Sequence, residues 1–153
     1  MDAIGTLATK LGNFYVNETI RKILNTQKYQ EDIPDMIKSR LNDSGTYSTG
    51  EQIATYASLS PDVYSRVTIG LKKMKGQTTK HVTLKDTGAF HNTFALHPKA
   101  YEFTIDYNED KPDGKISETV ELDNVFNLSE KELIELRTMI LPDFIEEFRN
   151  AIL

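Results

Sequence analysis

The sequence predicts an α+β domain in which helices at both ends of the chain pack on a small antiparallel sheet. Apolar residues recur at helical spacing near each end, over residues 4–28 and 129–152. Between them, apolar and polar residues alternate from Tyr101 to Tyr107, which is typical of a half-buried strand. A chain of 153 residues is long enough to bury a core. We therefore expect a single domain, 1–153, with its sheet centred on residues 99–108.

The first part of this domain, residues 1–42, is predicted to be helical. A first helix is expected over residues 4–28, where Gly5 and Gly12 weaken the early turns by up to about 1 kcal/mol each. These turns should therefore depend on packing against another element. The apolar positions of this helix are Ile4, Leu7, Ala8, Leu11, Phe14, Tyr15, Ile20, Ile23 and Leu24.

A second helix is expected to begin at Asp32-Ile33-Pro34, because proline is tolerated in a first turn. Its apolar face carries Ile33, Ile37 and Leu41, and the turn formers Asn42-Asp43-Ser44-Gly45 end it. Residues 45–81 then contain several glycines and few long apolar runs, which predicts an extended loop. Connections of this length are usually functional or ordered by a partner.

The remainder, residues 82–153, is predicted to be the α+β body. Val82 and Leu84 alternate as in a short strand, and the turn residues Asp86-Thr87-Gly88 follow. Phe90 and Phe94 have the spacing of one helical face, with Asp86 or Thr87 suited to cap that helix.

The end of the chain predicts a long helix. Residues 115–125 are ambiguous between strand and helix. Ser129 and Glu132 then have the spacing of a capping box, and Pro142 should kink or split the helix that follows. The side chains expected on its buried face are Leu133, Leu136, Ile140, Phe144, Phe148 and Ile152.

Composition bounds the function. The net charge of −5 argues against a uniformly basic nucleic-acid binder, and the absence of cysteine excludes disulfides and thiolate metal sites. No apolar run approaches the roughly 20 residues of a membrane span, so no membrane partner is expected. Met1-Asp2-Ala3 lacks the features of a secretory signal, which favours a cytoplasmic protein.

Candidate metal and catalytic residues do not have the required spacing. The run Asp106-x-Asn108-x-Asp110 imitates a calcium loop, but Lys111 and Ser117 replace the required Gly and Glu. No nucleophile elbow or phosphate-binding loop is present. We expect that the protein is not an enzyme and that it binds no cofactor, metal or small-molecule ligand. The histidines lack the spacing of a helical metal pair and are expected at the surface: His81, His91 and His97.

Charge is segregated along the chain. Between residues 63 and 85 all charged residues are basic, whereas residues 102–147 carry fourteen acids and four bases. A basic loop on an acidic body can contact DNA phosphates or dock on the acidic face of a neighbouring copy; the remaining alternative is a solvated loop. The candidate residues for these contacts are Arg66, Lys72, Lys73, Lys75 and Lys80.

Asp86-Thr87-Gly88-Ala89 also matches the catalytic triplet of retroviral-type aspartic proteases, in which two aspartates share a proton. That chemistry requires an apolar residue before the aspartate and a loop buried between apolar strands. Here Lys85 precedes Asp86, and no later apolar run ending in glycine follows. The protease stays an alternative interpretation.

The longer run from Leu84 to Phe94 follows the pattern Leu-x-x-Thr-Gly-x-Phe-x-x-Thr-Phe. This pattern resembles the central motif of the neck proteins (head–tail joining and tail-completion proteins) of tailed bacteriophages, in the variant seen in phages of gut Bacteroidetes. The upstream Lys75-Gly76-Gln77 and Tyr56-x-x-x-Ser60-Pro61-x-x-Tyr64 match as well. An ordinary strand–turn–helix of an unrelated domain is the alternative. The motif residues are Leu84, Asp86, Thr87, Gly88, Phe90, Thr93 and Phe94.

The resemblance implies a structural protein of the virion, assembled in the host cytoplasm. Its copies would form a homo-oligomeric ring around the DNA channel, in contact with portal or adaptor proteins, tail proteins and the packaged DNA. A non-virion adaptor that binds one protein partner is a further alternative.

Overall fold

The structure is a computed structural model that describes residues 3–54, 64–111, 114–115 and 120–153. It confirms the α+β class. Its helices and strands are, in chain order, α1 (Ala3–Gly12), α2 (Val16–Leu24), α3 (Gln27–Asp43), α4 (Arg66–Met74), a 3-10 turn (His91–Thr93), β1 (Ala95–Pro98), β2 (Phe103–Asp106), β3 (Asp110–Lys111), β4 (Gly114–Lys115), α5 (Leu122–Phe126) and α6 (Glu130–Ile152).

The predicted sheet is an antiparallel hairpin of β1 and β2, and β3 and β4 form a second, shorter pair. Leu96 is paired with Ile105, and both side chains point into the core. The strand begins later than the alternation predicted, because a hydrogen bond from the Lys99 amide to the Glu102 carbonyl closes the hairpin turn. This turn leaves Tyr101 87% exposed instead of half-buried.

Helix α3 is the centre of the core. Four of its side chains are fully buried: Tyr29, Ile33, Ile37 and Leu41. Burying each aliphatic side chain contributes about 1.5–3 kcal/mol. The core is completed by residues outside α3, among them Ile23, Leu24, Ile53, Val82, Phe90, Phe94, Leu96, Ile105, Val120, Leu122, Val125, Phe126 and Leu136.

The first predicted helix is broken into two. Helix α1 ends at Gly12, and residues 13–15 separate it from α2. At the break, the Phe14 ring packs edge-on against Phe144 and Phe148 of α6, at centroid distances of 5.8 and 5.0 Å. The apolar positions of the predicted helix do not all face the core, because Ile4 is 80% exposed whereas Ile23 and Leu24 are buried. The expected dependence on packing is met, since both α1 and α2 pack on α6.

Helix α3 begins at Gln27, before the predicted start, and therefore contains Pro34 in its interior. An interior proline costs about 3 kcal/mol. Burial of Pro34 together with the apolar side chains of its helix offsets that cost. The predicted end is confirmed, because Gly45 follows with φ of +63°. A Cβ at Gly45 would lie 2.5 Å from the Val82 carbonyl oxygen, so only glycine fits there.

The prediction of one extended loop over 45–81 is wrong, because α4 lies within it. The Ser65 side chain caps this helix by accepting a hydrogen bond from the Thr68 amide. Residues 46–53 form a tight turn closed by a bridge between Thr46 and Gln52. Residues 55–63, which include Tyr56 and Ser60-Pro61, lie outside the described residues.

The local structure of the central motif also differs from the prediction. Val82 and Thr83 are both buried and lie in no strand, and Leu84 has φ of +51°. The helix expected around Phe90 and Phe94 is a single 3-10 turn with Phe90, not Asp86 or Thr87, at its N-cap position. The two rings still meet edge-on, with their centroids 5.0 Å apart, and the backbone is extended at Phe94.

The C-terminal helix α6 starts with the predicted capping box of Ser129 and Glu132. It runs without interruption through Pro142, so the helix is not split. Leu136 is buried, whereas Leu133 is 39% exposed and was wrongly placed on the inner face. In the ambiguous region before it, residues 122–126 form α5, and residues 116–119 lie outside the described residues.

A buried salt bridge joins α3 to the start of α6. The Arg40 Nε atom donates to both carboxylate oxygens of Glu132, at 3.0 and 3.2 Å, and each side chain is only 8% exposed. The remaining Arg40 nitrogens donate to backbone carbonyls of Thr46, Val125 and Asn127. One guanidinium therefore holds together α3, the 46–53 turn, the end of α5 and the capping box.

We predict that Arg40→Ala lowers the free energy of unfolding by about 3–5 kcal/mol, because it leaves the Glu132 carboxylate buried without its charge partner. The matched control is Lys22→Ala, which removes the exposed pair with Glu147 and should cost less than about 1 kcal/mol. Urea unfolding followed by circular dichroism measures both variants. Equal losses in the two variants would contradict this account of Arg40.

Candidate interaction surface

The centre of the candidate site is the amino group of Lys72 on α4. The residue is 7% exposed, and its Nζ atom donates to Thr83 Oγ1, the Lys85 carbonyl and Gln77 Oε1 at 3.2, 2.9 and 3.2 Å. It also lies 4.9 Å from the ring centre of Tyr64. Burial lowers the pKa of Lys72, because a buried ammonium loses its hydration. Lys72 therefore anchors α4 to the central motif.

A second set of contacts joins the segment after α4 to Asp86. The Lys75 ammonium forms an ion pair with the Asp86 carboxylate, and Gln77 Nε2 donates to the Asp86 carbonyl at 2.6 Å. Gly76, between these residues, has φ of +65°. The Lys-Gly-Gln segment and the Asp-Thr-Gly turn therefore form one unit, although Gln77 and Asp86 are nine positions apart in the sequence.

His91 closes the inner side of this unit. Its Nε2 atom lies 2.9 Å from the Thr83 carbonyl, which can only accept, so Nε2 carries the proton. Burial lowers the pKa of His91, the hydrogen bond to the Thr83 carbonyl raises it in part, and the charges of nearby lysines lower it further. The Thr83 amide donates to the Tyr64 hydroxyl at 3.1 Å, and burial raises the pKa of that hydroxyl. The prediction that all three histidines lie at the surface is wrong for His91.

Asp86 itself is at the surface, with a side chain that is 72% exposed and paired with Lys75. The protease interpretation requires an aspartate buried between apolar strands, and the described surroundings of Asp86 differ from that arrangement. Among the described residues, no group of three or more His, Asp or Glu side chains is placed to hold a metal ion. No described helix is long and apolar enough to cross a membrane.

The five predicted contact cations do not form one set. Lys72 is buried and structural, so its prediction as a DNA-facing or neighbour-facing residue is wrong. Lys75 is partly exposed and neutralised by Asp86. Arg66, Lys73 and Lys80 are exposed, as predicted, and none of them forms an ion pair with a described residue.

An apolar surface that was not predicted from the sequence lies beside these cations. Val67, Leu71 and Met74 are 74, 51 and 86% exposed, and their spacing puts them on one side of α4. With the flanking Arg66 and Lys73 they make up what we call the α4 face. The spacing of these apolar residues after a serine cap is a helix signal in the sequence, and Gly70 in its middle weakens that signal.

A groove of about 650 Å³ lies between α3 and the start of α6. Half-buried Met36, Tyr47 and Met139 line it, and the Arg40–Glu132 pair lies at its side. Five acidic and two basic side chains line this acidic groove, which gives a net charge of −3. Of the charged lining residues, Asp32, Asp43, Lys131 and Glu135 form no ion pair with a described residue, while Asp35 pairs with Lys38.

Comparison with known proteins found no matching family model, no matching curated protein and no matching solved structure.

We predict that stability falls as the pH drops below 6.5. Unfolded His91 takes up a proton near its ordinary pKa of 6.5, whereas folded His91 resists protonation to lower pH. The unfolded state therefore binds more protons in this interval, which favours unfolding. His91→Gln should flatten the pH dependence of urea unfolding between about pH 7 and 5. A wild-type slope in His91→Gln would contradict the assignment.

Proposed function

We propose that this chain is a structural virion protein of the neck of a tailed phage, where its copies form a ring that links portal and tail around the DNA channel. The observation that carries this proposal is that the residues of the neck-protein motif form one folded unit. Its two separated parts, Lys75-Gly76-Gln77 and Asp86-Thr87-Gly88, contact each other through the Lys75–Asp86 ion pair and the hydrogen bond from Gln77 to the Asp86 carbonyl.

Five of the motif positions have a distinct structural role. Gly88 has φ of +91°, which favours glycine, and Thr87 Oγ1 accepts a hydrogen bond from the Ala89 amide at 3.2 Å. Thr93 Oγ1 accepts from the Asn108 amide at 2.9 Å, which ties the motif to the segment after β2. Phe90 and Phe94 pack against Phe126 at centroid distances of 6.1 and 4.8 Å. The motif is thus the join between α4, the hairpin and α5.

The surface supports an assembling protein rather than an isolated one. A closed ring is built from a heterologous interface, in which two different patches on each copy complement each other. The α4 face is basic and apolar, and the acidic groove has the opposite charge. In the alternative arrangement, Arg66, Lys73 and Lys80 line the lumen and contact packaged DNA.

Mass spectrometry of purified virions tests the proposal directly. We expect several copies of the protein per particle, and immunogold labelling should place them between head and tail. Asp86→Asn should leave incorporation intact, because Asp86 supplies a surface ion pair and no chemistry in this proposal. Intact particles without the protein would overturn the neck assignment in favour of a non-virion adaptor. Peptidase activity lost in Asp86→Asn would favour the protease.

The two arrangements of the cations differ in the effect of a triple change, Arg66→Glu, Lys73→Glu and Lys80→Glu. If these side chains contact a neighbouring copy, incorporation into particles should fall by about tenfold or more, which corresponds to a loss of about 1.4 kcal/mol in binding. If they face DNA, incorporation should stay normal and genome retention should fail. Lys72 is excluded from the change because its burial makes it structural. Particles normal in both respects would show that neither contact exists.

A further inference from the structure

We propose that the α4 face of one copy docks in the acidic groove of a second copy. This inference rests on the self-association that the proposed function requires, and it assigns the two surfaces that meet. Neither surface belongs to the central motif that carries the resemblance.

The α4 face is held outward by the anchor on its opposite side. The Lys72 side chain points into the fold, and its ammonium donates hydrogen bonds to Thr83, Lys85 and Gln77. The helix therefore cannot rotate to bury Val67, Leu71 and Met74 without breaking those bonds. A persistent apolar stripe of this kind, bordered by cations, is typical of a docking surface.

The acidic groove has the complementary chemistry. Its methionines Met36 and Met139 offer adaptable apolar contacts, which suit an aliphatic stripe. The lining carboxylates Asp32, Asp43 and Glu135 can pair with Arg66 and Lys73 of the incoming helix. A groove of about 650 Å³ lies within the usual size range of binding clefts, and the nine residues of α4 span about 13.5 Å.

The net charge of the acidic groove and the position of α4 in the fold indicate that the groove is occupied by a second copy of the chain. DNA would be repelled by the net charge of the groove, and an apolar stripe has no favourable contact with phosphate. The groove of the same copy does not receive its own α4, since the groove is lined by α3, residues 44–50 and the start of α6, with no residue of α4 among them. The contact between copies is therefore heterologous, as a ring requires.

Crosslinking of single-cysteine variants tests the contact, because the chain contains no cysteine of its own. Met74→Cys places a thiol on the α4 face, and Ser39→Cys places one at the groove. With a short bis-maleimide, the mixture of the two variants should give a crosslinked dimer, and either variant alone should not. Tyr101→Cys, 87% exposed on the hairpin turn, is the control and should crosslink with neither.

The same substitution, Leu71→Glu, is made in each of the two cysteine variants in turn. This comparison controls for an effect of the substitution on folding. Leu71→Glu added to Met74→Cys destroys the docking face that is being crosslinked, and the dimer should fall by about tenfold or more. The same Leu71→Glu added to Ser39→Cys leaves that copy's groove intact, and the dimer should form as before. Equal loss in both combinations, or no loss in either, would overturn the proposal.

Failure of the docking contact and failure of the neck function give different results. If sedimentation shows wild-type self-association but the mixture gives no crosslink, the contact is wrong and the ring is unaffected. If the mixture gives no crosslink and the wild-type protein does not self-associate, the contact is wrong as well. A groove that binds a basic segment of another protein would give this result. A specific crosslink together with virions that lack the protein would support the contact and overturn the neck function.

Discussion

The architecture depends on the buried pair of Arg40 and Glu132. Desolvating two charges is expensive, and the cost is offset only when every remaining hydrogen-bonding atom also finds a partner. Here the guanidinium reaches three backbone carbonyls and the carboxylate also accepts from Ser129. Because these partners belong to separate segments, the pair fixes where α6 starts relative to α3. An apolar contact at the same place would be non-directional and would not specify that position.

The second constraint is the placement of α4 by Lys72. Its ammonium is enclosed by Thr83, the Lys85 carbonyl and the Tyr64 ring, so the helix and the central motif are ordered by the same contacts. The acidic groove, in contrast, is formed by the Arg40 side of the molecule. Two separate polar networks thus hold the two surfaces that we assign to the contact between copies. Neither network shares a residue with the other.

Features decided by neighbours in the sequence were predictable, and features decided by distant contacts were not. The capping box of Ser129 and Glu132 and the end of α3 at Asp43 depend on residues within a few positions, and both are confirmed. Lys72 was assigned to the surface because lysine usually lies there, whereas its burial depends on residues 11 and 13 positions away. The interior prolines Pro34 and Pro142 are tolerated within helices whose packing overrides local propensity. For the candidate site, the sequence was sufficient to identify the exposed cations Arg66, Lys73 and Lys80. It was not sufficient to identify the acidic groove, whose charge is opposite to theirs.

The close approach of Gly45 to Val82 has a consequence for how the chain can vary. The His81 ring also lies 2.8 Å from the Asn42 carbonyl, so the two ends of the segment 46–81 are clamped together at its base. Closing a segment at a fixed base becomes only about 0.6 kcal/mol costlier when its length doubles. Changes of length within this segment therefore cost the core little where they leave Thr46, Ile53 and Lys72 in place, whereas changes at those residues or at the clamp do not. The α4 face can vary in sequence while the contacts that hold the segment to the body of the domain stay the same.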